Sequence, residues 1–421
     1  MKKFLTIWAG ELVSNIGSGM TAFALSIYVL QLTGSVTWVS VVTMLAYLPT
    51  ILLNPVGGLL ADRFDRRLMM ICGDLFSALG LLYILIDIKT GHGGLGPVLV
   101  GVTVNSVFIS LLDPSYKATV TDLLTAEEYA KASGLVQMAS NAKYLVSPAL
   151  AGLLLSVADI SVVLVIDICT IFVTVLTVSV VRKSMAVVKP RSGEFHFFGE
   201  MKEGLRAITA NRGVALLVAL MAFMCFFIGF IQTLMIPMVL PLSDARTVGI
   251  FESISAIGML AGSVVIGIHG IKRHHARILV IALIFCGGFM ALTGCGTNLC
   301  FILIACVLFF ATLPFVNTCA DVLIRVSIPN DAQGRAWGMI SLLTQIGYVV
   351  VYASCGVLAD HVFEPMLSGD GVLAHSVGRI IGTGPGRGIG FMLVLAGIAM
   401  VVVAIVLGNR RSIQTIKVGE R

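Results

Sequence analysis

Six ionisable side chains stand where an apolar sequence should have none. Glu11, Asp74, Asp113, Asp167 and Glu252 are acids, and Lys143 is a base, each inside a long hydrophobic run. An isolated charge at the centre of a bilayer costs about 2.5–3.5 kcal/mol even on the gentler scales, so each is a functional candidate by default. Carboxylates so placed can take up and release protons, or offer negative charge to a substrate. Glu11 lies roughly 10 Å into the first run if that run is helical, and Asp113 lies a similar distance from one end of the fourth. Both are candidates for a coupling proton, with Lys143 near the middle of the fifth run. The structural alternative is a carboxylate held by Lys143 or by polar neighbours, which locks the bundle. That alternative is favoured for Asp113, Asp74, Asp167 and Glu252, and is close to balanced for Glu11. Asn15 follows Glu11 by one helical turn, within a stripe of Ser14, Ser18 and Thr21. Gln232, with Met221, Met224 and Phe227, and Gln345, with Tyr348 and Tyr352, mark two further polar or adaptable faces. The expected role of those Met and Phe residues is plain packing.

Two spaced patterns accompany these charges. The first is Gly58, Asp62, Arg63, Asp65, Arg66 and Arg67, between the second and third runs. A glycine there lets two helices approach, and Asp62 can meet a basic partner or the positive end of a helix. The second is Gly134, Lys143, Ser147, Pro148, Ala151 and Gly152 in the fifth run, where small residues allow close packing and Pro148 bends the helix. The first resembles motif A of the major facilitator superfamily, in the form found in the macrolide-efflux branch of the drug:proton antiporters. The second resembles the antiporter motif C, with Lys143 as its one sharp departure. WAGELVSNIGS at 8–18, the run beginning at Asp113, EMKEGLRAITAN at 200–211 and GRAWGMISLL at 334–343 extend the likeness over nearly the whole chain. The resemblance implies that Gly58, Asp62, Arg63, Arg66 and Arg67 latch one side of the protein in its outward-open state. It also implies export rather than uptake.

Other chemistries find little support. The nine cysteines show no metal-like spacing and no CxxC, and read as small hydrophobes. Cys295 and Cys300 flank a short turn, with a disulfide as the alternative. His196, His274, His275 and His375 fall in loops and are expected to face solvent. GTGPGRGIG at 382–390 lacks the Lys-Ser/Thr of a phosphate loop and is expected to be a flexible connection. No nucleophile–base set or metal-ligand set stands out, so neither an enzyme nor a cofactor is expected.

The elements that must position these residues follow from composition. Hydrophobic residues make up 57% of the 421 and charged residues 12%, about half the soluble norm of roughly 25%. Such a chain lacks the polar surface for water and needs lipid. About 20 apolar residues cross the hydrocarbon core as a helix, which sets twelve spans. They are 4–31, 36–60, 67–88, 97–121, 129–156, 160–182, 214–240, 246–270, 276–295, 298–324, 336–362 and 388–408. Only Lys89, Arg246, Arg379 and Arg387 fall in outer loops, and Lys143 inside a span. The rest of the 28 basic residues lie in the even-numbered connections, at the span ends that border them (Lys117 included), and in the termini. That asymmetry places both termini in the cytoplasm and accounts for the net charge of +6 without nucleic acid.

The expected architecture is therefore an all-α membrane protein of twelve transmembrane helices in two six-helix bundles, the major facilitator fold. Residues 1–182 form the first bundle, 183–213 a linker carrying an amphipathic helix at 197–211, and 214–421 the second bundle. SLLDPSYKATVTDLL at 110–124 answers FATLPFVNTCADVLI at 310–324, and GGLLADR at 57–63 answers CGVLADH at 355–361, as internal repeats would. The functional expectation is a monomeric secondary transporter in a bacterial cytoplasmic membrane. It would export small amphipathic compounds by alternating access, with protons flowing inward. Its partners are a small-molecule substrate, protons and the bilayer. The alternatives are an exporter of one metabolite, such as a siderophore or peptide antibiotic, and a non-transporting membrane sensor.

Overall fold

The computed structural model describes residues 1–124, 128–183, 197–210, 212–271, 273–328, 333–369 and 371–408. They form helices α1 Lys2–Thr33, α2 Val36–Arg63, α3 Arg66–Lys89, α4 Leu95–Leu123, α5 Tyr129–Leu145, α6 Ser147–Leu155, α7 Ile160–Lys183 and α8 Phe197–Thr209. These are followed by α9 Arg212–Val239, α10 Ala245–His269, α11 His275–Cys295, α12 Leu299–Ser327, α13 Gln333–Leu358, α14 Glu364–Leu367, α15 Gly378–Ile381 and α16 Arg387–Gly408. No strand occurs among the described residues. Lipid cannot satisfy backbone polar groups, and helices satisfy their own.

Eleven of these helices are long and apolar enough to cross a membrane. The span expected at 129–156 is instead two segments, α5 and α6, neither long enough by itself. Pro148 has no N–H to give the carbonyl of Tyr144, and its ring crowds that carbonyl. Val146 keeps φ −102° and ψ −41°, so the chain bends there without turning back.

Packing divides the chain into two compact units. The first is Met1–Glu194 with Asp244–Ser253, and the second is Phe195–Ser243 with Ile254–Arg421. In the first unit α3 packs on α4 and α7, while α1 packs on α7, α5 and α6. In the second unit α11 packs on α12 and α16, while α9 packs on α13. The internal repeat is thus a repeat of packing, with α3, α4 and α7 answered by α11, α12 and α16. Helix α8 lies against α13, with Ile208 buried and Lys202 and Arg206 exposed.

Proline sets where helices touch in both units. Pro114 lies inside α4 and Pro314 inside α12, and each deprives the carbonyl four residues earlier of its helical partner. Beside those kinks the neighbouring backbone comes in at glycine. A Cβ on Gly57 of α2 would strike the Ser110 carbonyl, and one on Gly262 of α10 would strike the Ala311 carbonyl. The glycine of close approach beside the 58–67 cluster is therefore Gly57. A Cβ on Gly58 would meet nothing within 4 Å, and the same holds for Gly134, which does not pack a helix.

Two loop expectations are corrected. The stretch around 382–390 is not a loose connection. Glu364 accepts from Gly386 N at 3.2 Å and Ile389 N at 3.1 Å, which caps α16, and Arg387 donates to the Gly296 carbonyl. Gly382, Gly384 and Gly386 all have positive φ, so the turn needs glycine at these points. His275 does not face solvent: it opens α11 and is buried. Cys295 and Cys300 are both free.

A reciprocal close approach of two helices gives a test. On α3 and α4, Cβ atoms on Gly80 and Gly101 would each collide with the other's carbonyl. Gly80→Val should cost about 1–3 kcal/mol through overpacking, read as a lower thermal midpoint of the detergent-purified protein. Gly134→Val, at an open position, should leave that midpoint unchanged.

Candidate functional site

The site in the first unit rests on a small apolar floor. Ile7 of α1, Met70 of α3, Tyr116 of α4 and Val178 and Val181 of α7 pack together. One helical turn further along these helices the side chains turn polar. Glu11 follows Ile7 and Asp74 follows Met70. On the antiparallel helices Asp113 precedes Tyr116 and Thr174 precedes Val178. The Thr174 hydroxyl donates to the Gly10 carbonyl at 3.1 Å, which holds α7 against α1 at this level.

Four acids gather here. Glu11 interacts electrostatically with Asp113 and with Asp74, and Asp74 also interacts with Asp167. Asp74 is 3% exposed and Asp167 2%. Asn15 donates to the Glu11 carbonyl at 2.9 Å and to Oε1 at 3.3 Å. Glu11 Oε2, Asp74 Oδ2 and the Tyr116 hydroxyl are buried with no hydrogen-bond partner among the described residues. Asp113 is paired differently from the expectation: its partner is Lys117, 2.8 Å away and one turn along α4, and its side chain is 41% exposed. Lys143 ends α5, half-buried, and acts electrostatically on Asp167 instead. A Cβ on Gly17 would come within 2.8 Å of Asp167 Oδ1, so a glycine on α1 makes room for this acid.

Asp74 and Asp167, for which a structural role was favoured, lie in the same unit as Glu11, and Asp74 interacts electrostatically with Asp167 and Glu11. Tyr116 was not among the expected site residues. Its signal was available, because it stands three residues from Asp113 and so shares a face of α4.

The remaining candidates lie elsewhere. Ser147 donates to the Ile16 carbonyl at 2.9 Å, fixing the bend of the fifth span to α1. Pro148, Ala151 and Gly152 are buried, with Gly249 packed on the Pro148 carbonyl and Ser253 accepting from the Ala149 N–H at 3.0 Å. In the second unit Gln232 of α9 accepts from the Tyr352 hydroxyl at 2.7 Å, and Tyr352 stacks on Tyr348. Gln345 is half-buried on α13. Met224 and Phe227 are buried packing residues, as expected. Among the described residues no group of His, Cys, Asp and Glu could hold a metal ion.

The 58–67 cluster ties three helices of the first unit together. Arg66 donates to Asp122 of α4 at 2.8 Å and to the Ala118 carbonyl. Asp65 caps α3 through Arg67 N at 3.1 Å and accepts from Arg182 Nε of α7 at 2.7 Å. Arg67 is buried and Arg63 exposed, while the side chain of Asp62 lies outside the described residues. Asp65 was named in that spacing but given no role, though an Asp directly before a helix is an N-cap signal. Burial alone would raise its pKa. The Arg182 and Arg67 hydrogen bonds and the Arg182 charge outweigh burial and hold the carboxyl below its ordinary value.

Asp65→Asn keeps the N-cap but loses the charge on a partly exposed pair, so it should cost about 1 kcal/mol. A lowered folded-state pKa stabilises above the ordinary carboxylate range, and that contribution disappears as pH falls through the lowered value. The gap in thermal midpoint between the parent and Asp65→Asn should be full at neutral pH and close on strong acidification.

Known proteins agree with this architecture. Over 367 residues the chain is 28% identical to Macrolide efflux protein A of Streptococcus pyogenes, covering 86% of this chain and 90% of that one. It is also 28% identical over 316 residues to Macrolide efflux protein A of Enterococcus faecalis, covering 72% and 97%. Among solved structures, a bacterial homologue of the iron transporter ferroportin in an inward-facing state superposes with a TM-score of 0.72. It has 13% identity and coverage of 97% and 99%, a likeness of fold alone. The model of the Major Facilitator Superfamily matches residues 7–352, from the first helix into α13. The chain belongs to the Major Facilitator Superfamily, a family of membrane transporters rather than enzymes.

Proposed function

We propose that this multi-pass transporter is a proton-coupled exporter of small amphipathic compounds, macrolides among them, working by alternating access. The observation that carries the proton is Glu11. Its Oε2 is buried without a partner inside a membrane-spanning helix, beside further acids. A carboxylate left ionised there is costly, and taking up a proton relieves that cost. Asp62, Arg63, Arg66 and Arg67, with Asp65, serve as the conformational latch. The substrate class rests on the two macrolide-efflux relatives, and the direction on the small-residue pattern from Ser147 to Gly152. The protein sits as a monomer in a bacterial cytoplasmic membrane. Both termini are on the cytoplasmic side, a placement the distribution of Lys and Arg supports.

The test is transport by purified protein in liposomes under an imposed pH gradient, with a radiolabelled macrolide, a siderophore and a peptide antibiotic as probes. Macrolide movement against its gradient, driven by the proton gradient, is the expected result. Movement of the siderophore or the peptide alone would replace the substrate class. Glu11→Gln keeps size and hydrogen bonding but fixes the neutral state. Gradient-driven export should fall at least about tenfold, while exchange of labelled for unlabelled macrolide persists. Unchanged gradient-driven export by Glu11→Gln would remove Glu11 from the mechanism.

A further inference from the structure

We infer that Glu11 and Asp74 form one site that holds a single proton between them, with the Tyr116 phenol as its hydrogen-bonding neighbour. Asp74 on the third span is then a proton-bearing group of the transport cycle. The inference rests on the proton-coupled reading above and names the residues of that site.

Geometry comes first. Ile7, Met70 and Tyr116 touch in one apolar cluster, and Glu11 and Asp74 each stand four residues beyond a member of it. Four residues is one turn on the same helix face, so both carboxyls sit on the same floor. Each has one oxygen buried without a hydrogen-bond partner, and so does the hydroxyl of Tyr116, which is 4% exposed. The two carboxyl oxygens lack a donor and the phenol lacks an acceptor, and the neighbouring side chains supply neither.

The surrounding charges do not supply them either. From α4, Asp113 faces Glu11, with its own carboxylate held by Lys117 at 2.8 Å. From α7, Asp167 faces Asp74, and the Lys143 of α5 acts on Asp167. Arg67 lies two turns back along α3, below Met70. Asp74 is buried and Glu11 partly buried, both face other acids, and two ionised carboxylates so placed cannot coexist cheaply. One proton between them turns one carboxyl into a donor and leaves the other as acceptor, while the phenol donates to the remaining oxygen. In the cycle the proton arrives from water on the proton-rich side and bonds to one carboxylate oxygen. It leaves to water on the other side, restoring two carboxylates. The half-exposed Asp113 is the acid of this group with the most access to water. A pair that titrates together binds protons as a unit, so neither member keeps its behaviour when the other is removed.

The experiment compares the parent with Asp74→Asn, Asp74→Glu, Glu11→Gln and the double variant Glu11→Gln/Asp74→Asn. Infrared difference spectra of purified protein, taken during an acid titration, report the carbonyl stretch of protonated carboxyls without any transport. A shared proton predicts that Asp74→Asn and Glu11→Gln each alter the same deuterium-sensitive band, and that the double variant adds no further loss. Two separable bands, one lost in each single variant and together accounting for the parent spectrum, would overturn the inference whatever the transport result. In liposomes, Asp74→Asn should lower gradient-driven macrolide export at least about tenfold and flatten its pH profile. Exchange should stay within about twofold, and Asp74→Glu should restore net export. Equal losses of export and exchange with a lower thermal midpoint would make Asp74 structural and overturn the proposal. A shared band in a protein that no pH gradient drives would instead leave the proton pair standing and remove the proton-coupled function.

Discussion

Holding Glu11, Asp74 and Asp167 inside a bundle of apolar helices is the constraint around which the first unit is arranged. Lipid offers no hydrogen bonds, so each acid must be answered by protein. The answers are partial: Asn15 on Glu11, Thr170 beside Asp167, and Lys143 at the end of a broken helix. Gly17 exists where it does because a side chain there would strike Asp167 and Thr170. The Thr174 hydroxyl bonds α7 to the backbone of α1 at Gly10, beside Glu11 in sequence, and so presses the acids into one interior. What the bundle leaves unanswered, on Glu11, Asp74 and Tyr116, is where protonation can work.

The backbone carries the same scarcity. A proline inside a membrane helix frees one carbonyl, which neighbouring helices must accommodate. In α4 and α12 the kink and the closest helix approach fall together, with Gly57 and Gly262 supplying the room. Pro148 goes further and splits the fifth span, and Ser147 then fixes the bend to α1. The two units share this plan because their helices pack in the same order. The charged rim obeys a different physics. Asp65, Arg66, Asp122 and Arg182 are partly exposed, so each pair contributes modestly, and the value of the network lies in tying α3, α4 and α7 at one end.

Much of this was legible in the sequence. Apolar length marked the spans, because the hydrocarbon thickness is a fixed ruler. Acids within those spans stood out as Glu11, Asp74, Asp113 and Asp167, because burying charge is costly wherever it occurs. The paired prolines announced the repeat. Helical spacing also placed Tyr116 on the face of Asp113, although that signal was passed over.

Other features were decided only by the tertiary structure. Spacing along one helix says which residues share a face, but not which face of another helix it meets. Glu11 therefore interacts electrostatically with Asp74 as well as Asp113, while Asp113 turns to Lys117 on its own helix. Gly57, rather than its neighbour Gly58, meets α4, because one residue of rotation is about 100° on a helix. His275 is buried and Glu364 caps α16 because loop residues take their environment from elements remote in sequence. The sequence by itself determined which groups lipid would not tolerate uncompensated. Only the packing of the helices decided which partner each group received, since that depends on contacts between residues far apart in the chain.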